Sequence, residues 1–146
     1  MQFDIKYPFK LPVELGDLIT LSKLHILNYP FTKFPNWIFK LVNLENLMLR
    51  GNKIKAIPER ILELKNLKHL RIENTSLTQV PDHLSLLNKL ESLSLVDNYN
   101  LTNINNMRIP NQLKILAMKP SSISEEQIEK LTRNASNLKL GKRYFR

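Results

Sequence analysis

The sequence predicts an α/β fold, a right-handed curved solenoid with parallel strands on its concave face and 3₁₀ or helical turns on its convex face. Three observations predict it: leucine is in excess, an apolar pattern recurs at a fixed interval, and half of each repeat alternates apolar with other residues. Leucine accounts for 27 of the 146 residues, about twice its ordinary share. Such an excess is typical of a chain in which leucine fills one structural position many times over.

The recurring pattern has two halves. The first half reads Leu-x-x-Leu-x-Leu, with Ile or Met at the last position in some copies, and every step is 23 residues. Its five copies begin at Leu21, Leu44, Leu67, Leu90 and Leu113. The second half, apolar-x-x-apolar-Pro-x-x-apolar-x-x-Leu, begins at Phe31, Ile54 and Leu77. A partial copy of this half begins at Leu11. So many matches at one interval indicate a repeat architecture.

Each half of the pattern predicts one kind of local structure. The Leu-x-Leu alternation has a period of two, so it places the leucines on one face of a short strand and the intervening residues on the other. Proline cannot donate a ladder hydrogen bond, and the three-residue spacing after it suits a helical or 3₁₀ turn. A single unit cannot bury both sets of leucines. Stacked units can, with neighbouring strands about 4.8 Å apart in a parallel sheet.

This pattern resembles the leucine-rich repeat family, in the 23-residue Leu-Pro variant common in bacterial repeat proteins. The resemblance covers residues 11 to about 123, and it implies a shared binding surface and not a shared chemistry. The family places an asparagine after each strand to bond the backbone of neighbouring turns. The corresponding residues here are Tyr29, Asn52, Thr75, Asn98 and Ser121. Because a tyrosine does not fit that position, we expect irregularity in the first unit, and likewise in the last.

The ends and the fourth unit depart from the pattern. We expect one leucine-rich repeat domain over residues 1–146: a partial repeat (1–20), about five repeats (21–123), and a C-terminal cap of helix and strand (124–146). Ser124-Glu125-Glu126-Gln127 is typical of a capping box, Leu138-x-Leu140 of a final strand, and Met1-x-Phe3 falls in strand register. In the fourth unit one extra residue precedes Leu101, and the segment Ile104–Met107 lacks proline.

Composition excludes several classes of protein. Cysteine is absent, which excludes disulfides, thiolate zinc sites and cysteine nucleophiles. No stretch approaches the roughly 20 apolar residues of a membrane span, and the first residues, with an acid and no apolar run, do not resemble a signal peptide. We therefore expect a cytoplasmic protein, or a secreted or surface one if the chain belongs to a longer precursor.

The charge is basic but evenly distributed. The net charge is +9, with 12 basic and 7 acidic residues in 1–73 and 10 and 6 in 74–146. Without a basic stripe, nucleic acid is a poor candidate partner. A charge-driven binder of anionic polymers nevertheless stays open as an alternative.

The sequence offers no catalytic motif. It has no nucleophile elbow, no phosphate-binding glycine loop and no His-Glu-x-x-His pattern, so we expect neither an enzyme nor a cofactor. His25 and His69 should project from the concave face about 10 Å apart, too far to share a metal without other ligands. His83 should lie on the convex side. We expect all three to be hydrogen-bonded surface histidines, and we expect Trp37, Phe39 or both to pack against the convex turns.

The concave face carries the functional prediction, because its side chains are not needed for the core. There Leu27, Met48 and Val96 are apolar where water is expected, and they lie near Arg50 and Arg71; apolar groups with arginines are typical anchors of protein-binding patches. The predicted partner-binding residues are His25, Leu27, Met48, Arg50, His69, Arg71, Glu73, Ser94 and Val96.

The sequence thus predicts a monomeric, non-enzymatic module that binds a protein of unspecified identity on its concave face. Alternatives are the recognition fragment of a larger bacterial effector or repeat-bearing enzyme, and the charge-driven binder of anionic polymers. Rigid display of side chains from successive strands would be the mechanism, since such a surface needs little reordering on binding.

Overall fold

In the part of the chain that the structure describes, seven parallel strands form one sheet in the order of the chain. The structure is a computed structural model, and it describes residues 2–3, 11–118, 123–133, 135 and 137–141. The strands are β1 (Gln2–Phe3), β2 (Lys23–Leu27), β3 (Asn46–Arg50), β4 (His69–Glu73), β5 (Ser92–Ser94), β6 (Ile115–Ala117) and β7 (Lys139–Gly141). Four 3₁₀ helices lie at Val13–Asp17, Asn36–Lys40, Glu59–Glu63 and Asp82–Leu86, and one α-helix, α1, at Glu125–Thr132.

The strands pair in the register that the repeat predicts. Each residue of β2 pairs with the residue 23 positions later in β3, and β3 pairs with β4 in the same way. Leu47 therefore lies between Leu24 and Leu70, and all three side chains are at most 1% exposed. Because each strand buries its leucines only between those of its neighbours, the core is a continuous column along the solenoid.

Proline begins each of the four 3₁₀ helices. Pro12, Pro35, Pro58 and Pro81 each occupy the residue before the helix, with φ between −67° and −76° and extended ψ. The proline ring fixes φ and leaves no backbone N–H to donate a ladder hydrogen bond. Sheet pairing therefore stops at this residue and the helical turn begins. Between β5 and β6, where proline is missing at this position, the described chain forms turns and an isolated bridge from Asn103 to Gln79, but no 3₁₀ helix. The predicted irregularity of the fourth unit is confirmed.

Left-handed residues turn the chain out of each strand. Asn28, Gly51, Asn74 and Asp97 stand 23 residues apart and have φ of 55°, 68°, 48° and 62°. Glycine and asparagine tolerate this conformation best. At Gly51 a side chain would also collide with the neighbouring turn, since a Cβ would lie 2.3 Å from Oδ1 of Asn28.

Asparagine and threonine then join successive turns. The buried Asn98 amide donates to the carbonyls of Ile72 and Leu95 (2.6 and 2.9 Å), and its oxygen accepts from the backbone N–H (2.9 Å) and the hydroxyl (2.6 Å) of Thr75. Asn52 accepts from the Ile54 N–H at 2.9 Å. These side chains satisfy buried backbone groups that no strand reaches.

Tyr29 occupies the corresponding place in the first unit by a different contact. Its hydroxyl accepts from the backbone N–H of Leu11 at 3.1 Å. Its ring packs against Phe31 with 4.5 Å between centroids. The first unit is thus irregular, as predicted, because a phenol replaces the short amide. The last position of this series, Ser121, lies outside the described residues.

The ends also follow the sequence. Ser124 and Gln127 form the predicted capping box at the start of α1, the final strand forms as β7, and β1 pairs with β2 through Phe3 and Ile26. Trp37 and Phe39 are both buried, at 6% and 3% exposure, so the packing prediction for the convex aromatics is confirmed. In the part of the chain that the structure describes, no helix is long and apolar enough to cross a membrane.

Charges alternate at the residue before each of the strands β3 to β6, in the order Glu45, Lys68, Glu91 and Lys114. Lys68 contacts Glu45 at 2.9 Å, and Lys114 contacts Glu91 at 2.8 Å. The hydrogen bond from Lys114 is the main reason that the pKa of Glu91 lies below its ordinary value of 4.5. These ion pairs connect neighbouring units at the N-terminal ends of the strands.

Replacing Asn98 with alanine tests the turn ladder. We expect Asn98→Ala to lower the free energy of unfolding by about 2–4 kcal/mol, because it leaves buried donors and acceptors of two units without partners. Asn100→Ala is the matched control: Asn100 is exposed, and its loss should change stability by less than about 0.5 kcal/mol. Urea melts of both variants measure the difference. Equal losses of stability in the two variants would show that the hydrogen bonds of Asn98 do not stabilise the fold.

The Glu91–Lys114 pair predicts a pH effect. Because the folded pKa of Glu91 is lowered, its contribution to stability is complete above the ordinary value of 4.5 and is lost as pH falls through the folded pKa. Lys114→Gln removes the main cause, so its stability should fall less than that of the original chain between about pH 5 and about pH 3. Lys55→Gln, which removes an exposed lysine elsewhere, should keep the original pH profile. Identical profiles for all three proteins in urea melts would refute the effect.

Candidate partner-binding surface

The concave face consists of strand side chains that alternate with the core leucines. They form three rows across β2 to β6. The first row is Lys23, Asn46, His69, Ser92 and Ile115, and the second is His25, Met48, Arg71, Ser94 and Ala117. The third row is Leu27, Arg50 and Glu73, followed by Val96, whose carbonyl accepts from the N–H of Asn74 at 3.0 Å. All nine residues predicted to bind a partner lie in these rows.

Burial within the rows differs from the prediction. Met48, Glu73 and Ser94 are only 8%, 4% and 0% exposed, so the expectation that they face water free of packing is wrong. Parallel strands lie about 4.8 Å apart, and longer neighbouring side chains therefore cover smaller ones. On this face Lys23 and Arg50 are exposed. His25, Leu27, His69, Arg71 and Val96 are half-buried.

A buried carboxylate organises the centre of the surface. Glu73 Oε1 accepts from Arg71 Nε at 3.0 Å and from the Ser94 hydroxyl at 2.6 Å. Its side chain is 5% exposed, and that of Arg71 is 14% exposed. A buried charge requires such partners, since the cost of desolvation is otherwise unmet. Arg71, which the sequence predicted as an arginine anchor of the patch, is instead engaged by Glu73.

Arg50 is an exposed cation at the centre of this surface. Its Nη1 lies 3.8 Å from Glu73 Oε2, and its Nη2 lies 3.9 Å from Asp97 Oδ2. Both distances are too long for direct hydrogen bonds, and the side chain is 46% exposed. The guanidinium is thus positioned by two carboxylates while donor groups still face solvent. Tyr99 extends the cluster, since its hydroxyl donates to Asp97 Oδ1 at 3.4 Å.

The concave histidines are hydrogen-bonded to neighbouring strands. His25 Nε2 donates to Asn46 Oδ1 at 3.0 Å, since an amide oxygen only accepts. His69 Nδ1 lies 3.0 Å from the Ser92 hydroxyl. His83 departs from the prediction, because its Nε2 is buried without a hydrogen-bond partner among the described residues. The same residues contain no group of three metal-ligating side chains.

Sequence reasoning left three contributors out of the site: Asn46, Asp97 and Tyr99. Asn46 carries the ordinary signal of a concave position, because it lies two residues before Met48 in the alternating pattern of β3. Asp97 has φ of 62° at the turn, where sequence alone indicates a local backbone role. Tyr99 belongs to the irregular fourth unit, whose extra residue obscures the register.

Stacked strands, proline-started 3₁₀ helices and a ladder of turn amides define a leucine-rich repeat protein. A family model described as a leucine-rich repeat region matches residues 11–141. The chain belongs to the leucine-rich repeat family, whose members are generally non-enzymatic scaffolds for protein interaction.

Solved structures of bacterial proteins resemble this chain. A leucine-rich repeat protein of Leptospira interrogans matches with a TM-score of 0.78 and 28% identity over 97% of this chain and 36% of that one. The leucine-rich repeat domain of the type III effector XopL matches with a TM-score of 0.65 and 25% identity over 89% of this chain and 55% of that one. No curated protein matches the sequence. The chain thus spans about a third and about half of these two structures.

Replacing Glu73 with glutamine tests the buried network. We expect Glu73→Gln to lower the free energy of unfolding by about 2–4 kcal/mol, because Arg71 loses its buried counter-charge. Glu63→Gln is the control: Glu63 also pairs with an arginine, Arg60, but its side chain is 46% exposed, and the loss should be much smaller. Thermal and urea unfolding measure both variants. A similar loss of stability in the two variants would mean that the buried Glu73 network stabilises the fold no more than an exposed ion pair does.

Proposed function

We propose that this chain is a non-enzymatic, monomeric protein-interaction module that binds a protein partner on its concave face. The observation that carries the proposal is the exposed Arg50 guanidinium, held between the Glu73 and Asp97 carboxylates with half-buried apolar residues in the same row. Arginine beside apolar groups is the composition of interface anchors.

Preorganisation supports this assignment. Glu73 is fixed by Arg71 of the same strand and by Ser94 of the next strand, and the strands themselves are fixed by the ladder and the core. Binding therefore costs little ordering of the surface, and more of the contact energy remains as affinity. A flexible arginine on a loop would lose that advantage.

The third row indicates the chemistry of the contact. Arg50 would donate to a carboxylate of the partner, because its guanidinium has donors left and arginine pairs favourably with planar carboxylates. Leu27, its neighbour on β2, and Val96 would contact apolar groups on either side. We assign His25, His69 and Met48 to the surrounding surface. Arg71, Glu73 and Ser94 would support Arg50 from beneath.

A second candidate function follows from chain length. Because the similar structures are longer, this chain could be the recognition part of a larger protein such as a bacterial effector or a repeat-bearing enzyme. In that case residues 1–146 would form one repeat domain, and activity would belong to another part. Activity measured on the full open reading frame and on this domain alone separates the two cases. The concave binding surface would be the same in both.

Charge reversal of Arg50 tests the proposed surface. We expect Arg50→Glu to weaken capture of a specific protein partner at least about thirtyfold, or about 2 kcal/mol, because the anchor would then repel the partner's carboxylate. Quantitative affinity capture with mass spectrometry identifies the partner. Calorimetric titration at physiological salt then measures its affinity for the purified variants.

Lys55→Glu is the matched control, since it gives the same change in net charge at an exposed residue outside the strands. It should bind as the original chain does. Equal weakening by both variants, with strong salt dependence and binding to heparin, would support the charge-driven binder of anionic polymers. Unchanged binding by Arg50→Glu would refute the concave surface.

A further inference from the structure

The irregular fourth unit leaves a cavity on the convex side. The earlier units cover this side with 3₁₀ helices that pack in sequence, but residues 104–110 turn without one. A cavity of about 550 Å³ opens between this segment and the cap helix α1. Its volume lies within the range of about 300–1,000 Å³ that is usual for sites of small organic ligands.

The cavity has an apolar floor and a polar rim. Ile104, Met107 and Leu113 are at most 5% exposed and belong to the core, and the half-buried Leu131 and Leu138 close the opposite wall. The rim residues are Asn105, Arg108, Asn111, Gln127, Lys130 and Asn137. The accessible lining is thus at least as polar as it is apolar, which suits a ligand that has both an apolar and a polar part.

The charge of the rim is of one sign. Arg108 and Lys130 come from opposite walls, and both are exposed. Neither forms an ion pair within the described residues, and the described lining contains no acidic side chain. Two cations over an apolar floor favour an anionic group attached to an apolar body.

A neighbouring cavity lacks this complementarity. It has a volume of about 380 Å³, also reaches Arg108, and lies toward the fourth 3₁₀ helix. Asp82 lines it, so the carboxylate would repel an anion there. The space beneath α1 is therefore the better of the two.

We propose that the cavity between residues 104–113 and α1 binds a small amphipathic organic anion. Its apolar body, about the size of a fused aromatic ring pair, lies on Ile104, Met107 and Leu113. Its phosphate or carboxylate contacts Arg108 and Lys130. This site is separate from the concave surface, and it depends on the fourth unit, whose described convex half lacks the proline and the 3₁₀ helix of the earlier units.

The first experiment is an NMR titration of the isotopically labelled chain. The probes are 1-naphthyl phosphate, 1-naphthoate, neutral 1-naphthol and inorganic phosphate. We expect 1-naphthyl phosphate to shift amides of 104–113 and 127–138, and naphthol and inorganic phosphate to bind at least about tenfold more weakly. The naphthoate arm shows which anionic group is preferred. Equal binding of inorganic phosphate, or shifts confined to the concave strands, would overturn the proposal.

The second experiment uses paired variants. Arg108→Gln combined with Lys130→Gln should weaken binding of 1-naphthyl phosphate at least about tenfold. The control is Lys33→Gln combined with Lys55→Gln, which makes the same charge change at exposed residues that do not line the cavity and should bind normally. All four residues are exposed, so both proteins should fold, and thermal melts verify this. If both double variants bound 1-naphthyl phosphate equally weakly, the binding would be nonspecific charge attraction and the proposal would be overturned.

Discussion

In-register stacking at 23 residues is the constraint on which the rest of the structure depends. Leu70 is fully buried only because Leu47 and Leu93 pair with it on the two adjacent strands. A slip of one residue would turn every leucine of a strand toward water. Asn98 strengthens this register, since it bonds to Thr75 and Ile72 of the preceding unit as well as to its own. Core and ladder therefore impose the same alignment.

Features that are local or periodic could be predicted from the sequence. The strand register followed from the positions of the leucines, and the 3₁₀ helices followed from proline because its ring constrains one residue. The capping box at Ser124 was equally local. The missing proline after β5 correctly indicated an irregular unit. The misfit at Tyr29 was also foreseen, although only the structure identifies the Leu11 N–H as the group that the phenol satisfies.

The candidate site was less predictable, because it depends on contacts across strands. A period of two tells which face Glu73 occupies, but its burial results from Arg71 on the same strand and Ser94 on the next. An arginine on this face is engaged when its side chain reaches a carboxylate within hydrogen-bond distance, and it stays exposed when it does not. For this reason the sequence predicts the same anchoring role for Arg50 and Arg71, whereas in the structure Arg50 is exposed and Arg71 is engaged by Glu73. Likewise, absence of a proline predicts no helix, but not the size of the space beneath α1.

Regular and irregular units thus contribute different kinds of surface. Identical spacing in β2 to β4 produces a rigid face whose side chains are aligned in rows, and such a face suits an extended partner that contacts several units. The fourth unit keeps the register of its strand, since Leu93 still pairs with Leu116, and departs only on the convex side. The departure therefore costs the stack little, because the leucine column continues through it. A repeat protein can in this way gain a recess on its convex side while its sheet remains intact.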